Sequence, residues 1–431
     1  MWGALAIIDP RLATDGKAAI LRTWPAQVRD RLSDSPAFNC DGLNGVLPKY
    51  ETPWPLVESP EKRGWTPAKW FGQGFMAPGM NWHDFTAKRI LGTVPVEPDG
   101  SAYFTVPSDT FLFFQLLDDR DMMIQSMRSG TVLQSGERTG CVGCHESRLA
   151  APPAGAPVPR ALSREPSRIT PWYGPPRMFN YLAEVQPVFD KYCVKCHDFG
   201  TDGAKKLLLA GDKDVFFNAS YTQLWRKGYI KAIGAGPADI QPPYSWGSHP
   251  SKLAQTLLAR LKDGRLDKES FDRIVTWIDI NAPYYPSYYS AYPNHPGGRS
   301  PLDDRQLGRL GQLTGVDFGR ENTFSSSTGP HVSFDRPELS PCLAKFKDKG
   351  DPKYREALAI IQAGKDMLAK RPRADMPGFV PCEADQRREE KHRRRRQIEL
   401  GNREAIRKGG KACDERQEPT VGTTRSQGSG P

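Results

Sequence analysis

The feature that most constrains this chain is a pair of C-x-x-C-H pentads, at residues 141–145 and 193–197. Two cysteines at this spacing share one helical turn, so both thiols can reach the vinyl groups of one heme while the next histidine turns toward the iron. Each pentad is therefore predicted to bind one covalent heme c. The predicted attachment residues are Cys141, Cys144 and His145 in the first pentad and Cys193, Cys196 and His197 in the second.

Zinc is the alternative partner for paired cysteines. Two C-x-x-C pairs that share a zinc ion usually lie roughly 15–20 residues apart, whereas 48 residues separate Cys144 from Cys193. Both pairs also carry the extra histidine, which favours heme at both. Of the remaining cysteines, Cys342 and Cys382 are predicted either to form a disulfide or to be buried free thiols.

The second heme needs a further axial ligand if its iron is six-coordinate. His249 lies in the turn Trp246–Pro250, directly before an amphipathic helix that follows the second pentad. We predict His249 as the distal ligand, with His295 and then Met178 as alternatives.

The first heme has a less determined distal face. His83 and the methionines Met122, Met123 and Met127 are the available donors, although a methionine on a strand is more often a core residue. If no donor reaches the iron, the site is five-coordinate and reactive. His83 is then the predicted catalytic residue, moving protons to a bound nitrogen or oxygen species.

The order of patterns along the chain predicts an α+β fold. The 40 glycines and 39 prolines indicate many turns and modest helix content. Strand-length apolar runs at 90–96, 102–106, 111–117 and 122–127 predict a short antiparallel, sandwich-like unit, and residues 3–8 are predicted to form a separate buried strand in the upstream remnant. Later segments have helical periodicity, including a helix that begins after the N-cap Asp267. The predicted helices are 181–192, 218–229, 251–262, 268–279 and 384–408.

These patterns divide the chain into five predicted segments, of which the one containing the second pentad is a small helical cytochrome c domain. The segments are 1–85, the remnant of an upstream β domain; 86–150, a β-rich domain with the first pentad; 151–176, a Pro/Ala-rich linker; 177–305, the cytochrome domain; and 306–431, an irregular segment with a basic helical tail.

Charge, hydropathy and the N-terminal residues bear on the partners and the compartment of the protein. The net charge of +10 is concentrated after Arg371, but no aromatic residues interleave the basic run 393–396, so nucleic-acid binding is not predicted. No apolar stretch reaches the length of a membrane span. Residues 1–8 lack the features of a secretory signal. Because covalent heme is attached after export, we expect a periplasmic or equivalent location and a natural N-terminus upstream of this sequence.

Several motifs together resemble the alpha subunit of hydrazine synthase and its relatives. They are residues 90–104 (ILGTVPVEPDGSAYF), 125–129 (QSMRS), the two pentads, 241–249 (QPPYSWGSH) and 277–285 (WIDINAPYY). The resemblance implies an N-terminal β-propeller, here largely missing, a middle domain with one heme and a C-terminal domain with a second heme held by two histidines. It also implies that His197 is the proximal ligand of that heme and that His249 is the distal one.

At the first heme the sequence departs from the family pattern. In the family, a tyrosine four residues after the pentad histidine binds the iron, and the histidine itself binds zinc. Here His145 is followed by Glu146, Ser147, Arg148 and Leu149, and the next tyrosine is Tyr173. Tyrosine ligation and zinc are therefore not carried over, and His145 is predicted to be an ordinary proximal iron ligand.

The resemblance implies a redox enzyme that acts on a small nitrogen or oxygen species at the first heme and relays electrons through the second. The alternative is a non-catalytic electron-transfer cytochrome or docking module in which both hemes are six-coordinate. Either function predicts a redox partner protein or other subunits of a complex.

Overall fold

The computed structural model describes residues 2–11, 87–108, 110–127, 130–133, 136–141, 158–232, 241–287, 289–318 and 328–409. The fold class is α+β, as predicted: a small antiparallel sheet is followed by helices. The strands are β1 (Trp2–Arg11), β2 (Ala87–Pro95), β3 (Phe113–Asp118) and β4 (Met123–Ser126).

The sheet has the strand order β2-β1-β3-β4, and all its neighbours are antiparallel. The first strand of the chain thus lies between β2 and β3. Four of the five predicted strands are confirmed. The predicted strand at 102–106 is wrong, because this segment makes only an isolated bridge from Phe104 to Ser167.

Each predicted helical segment is helical in the structure, one of them as two helices and most with ends shifted by one to three residues. The helices are α1 (Tyr181–Glu184), α2 (Gln186–Tyr192), α3 (Val194–His197), α4 (Asp202–Lys206), α5 (Ala219–Arg226), α6 (Lys252–Lys262), α7 (Lys268–Asp279), α8 (Asp304–Thr314), α9 (Pro352–Lys370) and α10 (Glu383–Arg407). Short 3₁₀ turns lie at Arg160–Ser163, Pro296–Gly298, Pro337–Leu339 and Pro341–Leu343.

The predicted helix 181–192 is broken in two at Val185. Pro187 has no N–H with which to continue the hydrogen bonds of α1, so the chain restarts as α2 with proline in its first turn. In contrast, α7 has the predicted bounds. The Asp267 side chain accepts a hydrogen bond from Ser270 N at 2.7 Å, which satisfies one of the free N–H groups at the start of the helix.

The sheet packs its inner face on the helices. Ile90, Phe113 and Met123 share one hydrophobic cluster with Phe271 and Ile274 of α7. The apolar face of α7 is fully buried and consists of Phe271, Ile274, Val275 and Ile278. The other face of the sheet carries a smaller cluster that irregular chain covers, made of Leu91, Val94, Leu112, Phe104, Val106, Phe114 and Ile169.

The chain forms two compact units, residues 1–385 and 386–431. The sheet and α1 to α9 belong to the first unit, and the predicted domain boundaries within it stay predictions. The second unit contains most of α10, where charged side chains pair along one helix, as Arg403 does with Glu399 at 2.9 Å. Within the described ranges, no helix has both the length and the apolar character needed to cross a bilayer.

The pairing of β1 with β2 contains a β-bulge, which depends on a glycine. The register shifts between Ile7, which pairs with Gly92, and Ile8, which pairs with Ile90. Gly92 has φ +140°, and a Cβ on it would lie 2.0 Å from the carbonyl oxygen of Thr170. The close approach lets Thr93 and Thr170 exchange two backbone hydrogen bonds of 2.9 Å. These bonds hold the segment around Thr170 against strand β2.

We expect Gly92→Ala to lower the free energy of unfolding by on the order of 3 kcal/mol, because the added methyl collides with backbone and the φ angle becomes strained. Gly308→Ala is the matched control. Gly308 lies inside α8, where a Cβ meets open space, so this change should stabilise by about 0.5–1 kcal/mol. Urea unfolding followed by circular dichroism measures both. Equal stabilities of wild type and Gly92→Ala would contradict the strain argument.

Candidate functional site

The second pentad forms one tight turn at the end of α2. Cys196 N and His197 N both donate to the carbonyl oxygen of Cys193, at 3.1 and 3.0 Å. Cys193 is half-buried and packs against the main hydrophobic cluster, whereas Cys196 is exposed. Both thiols are free. The turn therefore presents two unpaired thiols with the i, i+3 spacing that heme attachment requires.

The His197 imidazole is oriented by a backbone carbonyl. Its Nδ1 lies 2.7 Å from the oxygen of Leu207. A carbonyl oxygen only accepts hydrogen bonds, so Nδ1 carries a proton and Nε2 is the ring nitrogen left to bind a metal. Histidines that bind metals usually donate their other ring N–H in this way. This donor set fits the proximal side of a heme c.

Helix α4 packs directly on the pentad turn. The Thr201 hydroxyl, at its N-cap, donates to the carbonyl oxygen of Cys196 at 2.7 Å. A Cβ on Gly203 would lie 2.0 Å from the same oxygen and 3.3 Å from His197 Nδ1. Only glycine allows this approach, which brings Leu207, just after α4, within reach of the imidazole.

The N-terminal side of the pentad turn is held by the cap of α7. The Tyr192 hydroxyl and the Lys191 ammonium both donate to Asp267 Oδ2, at 2.5 and 3.1 Å. The hydrogen bond from Tyr192, with those from Ser270 and Lys191, holds the pKa of the Asp267 carboxyl well below its ordinary value. One carboxylate thus caps α7 and fixes the residue that precedes Cys193.

The C-terminal side is held by an ion triad. The Arg336 guanidinium donates to both carboxylate oxygens of Asp198, at 2.8 and 2.6 Å, and also to both oxygens of Asp212, at 2.8 and 2.6 Å. Hydrogen bonds from Arg336 lower the pKa of Asp198 despite partial burial. Asp198 directly follows His197, so the triad fixes the backbone next to the imidazole.

His249 lies against the end of β3. Its Nε2 is 3.3 Å from Asp118 Oδ2, but this nitrogen is buried and makes no hydrogen bond of acceptable geometry. The ring of Tyr244 packs edge-on at 4.8 Å. Burial raises the pKa of Asp118, but the interaction with His249 and the N–H groups of Met122 and Arg120 outweigh this and hold it well below its ordinary value.

Helix α6 begins just after the His249 turn, and its last turn lies near the pentad. His249 lies just before α6, and Arg260, in its last turn, lies close to Cys193. Burial raises the pKa of the Cys193 thiol, and the positive charge of Arg260 opposes the shift. His249 as the distal ligand stays a prediction.

The turn that carries His249 is anchored to a buried carboxylate. Asp279, at the end of α7, accepts hydrogen bonds from Ser248 N at 2.6 Å, from Ser248 Oγ at 2.9 Å and from Met123 N at 3.0 Å. Gly247 has φ +83°, and a Cβ there would lie 2.5 Å from Asp279 Oδ1. Sheet, turn and α7 therefore meet at one side chain.

The residues predicted as alternative axial ligands of the two hemes lie in surroundings different from those of His249. His295 donates from Nδ1 to Ser300 O at 3.0 Å and stacks on Tyr292, and Met178 packs against the main cluster. Met122 and Met123 are fully buried core residues.

Of the first pentad, Cys141 is described and exposed. Cys144, His145 and the predicted catalytic His83 lie outside the described residues. Cys342 and Cys382 are buried free thiols, so of the two alternatives the disulfide is wrong.

Sequence reasoning missed the groups that orient His197. Arg336 is 138 residues beyond Asp198 in the chain, and Leu207 contributes only a backbone oxygen. Nothing local in the sequence indicates either contact. Gly203, four residues before Leu207 on a short polar helix, was the one local sign that α4 packs closely against another segment.

Comparison with known proteins supports the predicted resemblance over part of the chain. Residues 56–146 match the sequence profile of the hydrazine synthase alpha subunit middle domain. A structure of Kuenenia stuttgartiensis hydrazine synthase is similar at 16% identity and a TM-score of 0.37, over 66% of this chain and 39% of that chain. No curated protein sequence matches the chain.

Asp279 should make stability fall as the pH rises. Burial raises the pKa of Asp279 from its ordinary value of 3.8 to about 7, against its three hydrogen-bond donors. The folded chain then holds a proton that the unfolded chain releases between about pH 4 and 7. The free energy of unfolding should therefore decrease across this range, by at most about 1.4 kcal/mol per pH unit.

Asp279→Asn cannot titrate and should lose this slope, although the lost acceptor also lowers its stability at every pH. Asp118 does not obscure the effect, since its lowered pKa makes its contribution change only at lower pH. Urea unfolding at about pH 4.5, 5.5 and 6.5 measures the slopes. Parallel curves for wild type and variant would show that Asp279 stays ionised.

Proposed function

We propose that this chain is a diheme c-type cytochrome related to the hydrazine synthase alpha subunit. The single observation that carries the proposal is the hydrogen bond from His197 Nδ1 to Leu207 O, at 2.7 Å. In a turn with two free thiols, this bond orients the imidazole as a metal ligand. A redox disulfide would not need an oriented imidazole, and a zinc site shared by the two cysteine pairs is disfavoured by the 48 residues between Cys144 and Cys193.

At the second pentad, Cys193 and Cys196 would hold the heme and His197 would bind the iron through Nε2. A heme c supplies reversible one-electron transfer at its iron. The chain's own part is to fix the imidazole through Leu207, and to hold the turn through Asp198 and Tyr192. Because this turn is half-exposed, electrons can enter and leave at the surface.

His249 is our proposed distal ligand. Its Nε2 is buried without a good hydrogen bond, which is the condition of an atom that lacks a partner. Ligation would draw the imidazole away from Asp118 and leave that carboxylate to Arg120, whose side chain already donates to it at 3.0 Å.

At the first pentad, we propose the reactive heme, held by Cys141, Cys144 and His145 and acting on a small nitrogen or oxygen species. The match to the middle-domain profile spans this pentad and His83, the proposed proton donor. The second heme would then relay electrons to or from a redox partner or another subunit. Since covalent heme is attached outside the cytoplasm, the proposal places the protein in the periplasm or an equivalent compartment.

The full-length chain, exported in a host that matures c-type cytochromes, should exceed the apoprotein mass by two hemes. Replacing both Cys193 and Cys196 by alanine should remove one heme, because both thioethers to it are lost. Cys342→Ala, at a buried thiol outside the pentads, is the matched control and should keep both. Intact mass and the pyridine hemochrome spectrum measure the content. Stoichiometric zinc without iron would overturn the cytochrome assignment.

Electron paramagnetic resonance of the oxidised protein should show one high-spin and one low-spin heme, with cyanide converting the high-spin signal. His249→Ala should turn the low-spin heme high-spin, since it removes the proposed distal ligand. His295→Ala is the control and should leave both signals unchanged.

Two low-spin signals that do not change on addition of cyanide would contradict the reactive heme. The chain would then be an electron carrier with both hemes six-coordinate. An unchanged spectrum in His249→Ala would remove that residue from the iron.

A further inference from the structure

The Asp198–Arg336–Asp212 triad joins two distant parts of the chain beside the second pentad. Arg336 belongs to the segment after residue 328, and its guanidinium uses both edges, one for each carboxylate. The guanidinium carbon also lies 5.3 Å from the centre of the Phe199 ring. The Ser333 hydroxyl donates to Asp212 at 2.6 Å and accepts from Arg336 N at 2.9 Å. The arginine is thus held from several sides.

We propose that Arg336 is a positioning residue for the heme of the second pentad and that its charge sets the reduction potential of that heme. This inference rests on the proposed function, because it requires a heme at Cys193 and Cys196. Arg336 would not touch the iron. It would act through Asp198, whose backbone continues directly from His197.

The geometric part of the proposal follows from the two-pronged contact. An arginine fork on a carboxylate fixes orientation as well as distance, which a single ammonium does not. Asp198 Oδ1 additionally accepts from Phe199 N at 2.7 Å, so the side chain is rigid relative to its own backbone. Contacts of Arg336 therefore fix the C-terminal end of the pentad turn, at the peptide between His197 and Asp198, while Tyr192 fixes its N-terminal end.

The electrostatic part follows from the charge count. The triad has one guanidinium and two carboxylates, of which Asp212 is almost fully buried, with 7% of its side chain exposed. Removing the guanidinium leaves two uncompensated negative charges next to the proximal histidine. Negative charge near a heme stabilises the ferric form relative to the ferrous form. Arg336 should therefore hold the potential up and Asp198 should hold it down.

The test is a pair of variants with opposite expected signs. Arg336→Gln should shift the midpoint potential of the second heme downward, and Asp198→Asn should shift it upward. The Asp198→Asn variant keeps the oxygen that accepts from Phe199 N and leaves the Arg336–Asp212 pair intact, so it folds even if Arg336→Gln does not. Spectroelectrochemical titration of the full-length, heme-loaded protein measures both. The component that disappears in the Cys193/Cys196 double alanine variant identifies the second heme.

Two further variants separate charge, geometry and simple stability. Arg336→Lys keeps the charge but loses the fork, so it should keep the potential near that of wild type while broadening the low-spin resonance signal. Arg309→Gln is the matched control. It breaks an equally two-pronged pair with Glu356, at 2.6 and 2.7 Å, between α8 and α9, and should lower stability a little without moving either potential.

Potentials that move in the same direction in Arg336→Gln and Asp198→Asn, or that stay at the wild-type value in both, would overturn the proposal and leave the triad a structural brace. Failure of the proposed function looks different. In that case, the wild-type mass shows no heme at the second pentad before any triad variant is made, and Arg336 has no heme to position.

Discussion

The buried carboxylate of Asp279 is the contact on which the arrangement of this protein depends. It closes α7, a helix with eight of its twelve residues buried, and accepts N–H donors from β4 and from the turn before α6. The Asp279 backbone oxygen also accepts from the Gln115 side chain of β3, at 2.6 Å. A carboxylate in this position costs free energy unless its donors are in place, so the sheet, the turn and the helix are stable only in one relative placement. His249 reaches the sheet because of that placement.

The pentad turn is organised on the same principle, by polar contacts from elsewhere in the chain. Asp267 fixes the residue before Cys193, and Arg336 fixes the residue after His197. Between them, the Leu207 oxygen selects the imidazole tautomer. A ligand group that is oriented in advance loses less entropy on binding metal. The three contacts therefore hold the turn and its imidazole in one conformation.

Local signals explain which elements were predictable. The N-cap Asp267 and the apolar spacing of Phe271, Ile274 and Ile278 specify α7 without help from the rest of the chain. Helix α8 was missed although its signal is present: the Asp303 and Gln306 side chains form a capping box, and Gly315 ends the helix in a left-handed conformation. The proline- and tyrosine-rich sequence before α8 favoured an irregular structure, and the helix was therefore not predicted. The segment 102–106 failed as a strand because nearby chain at Ser167 bridges Phe104 only once, which tertiary packing decides.

The sequence by itself determined the α+β order of elements and the two C-x-x-C-H pentads, whose cysteines and histidine are close in the chain. These follow from residue type and spacing within a few positions. Only the tertiary structure decided which groups surround those residues. His249 meets Asp118, His197 meets Leu207, and Asp198 meets Arg336 because hydrophobic burial brings distant segments together. Such packing is not encoded in any local pattern, since each contact joins side chains or backbone atoms from separate stretches of the chain.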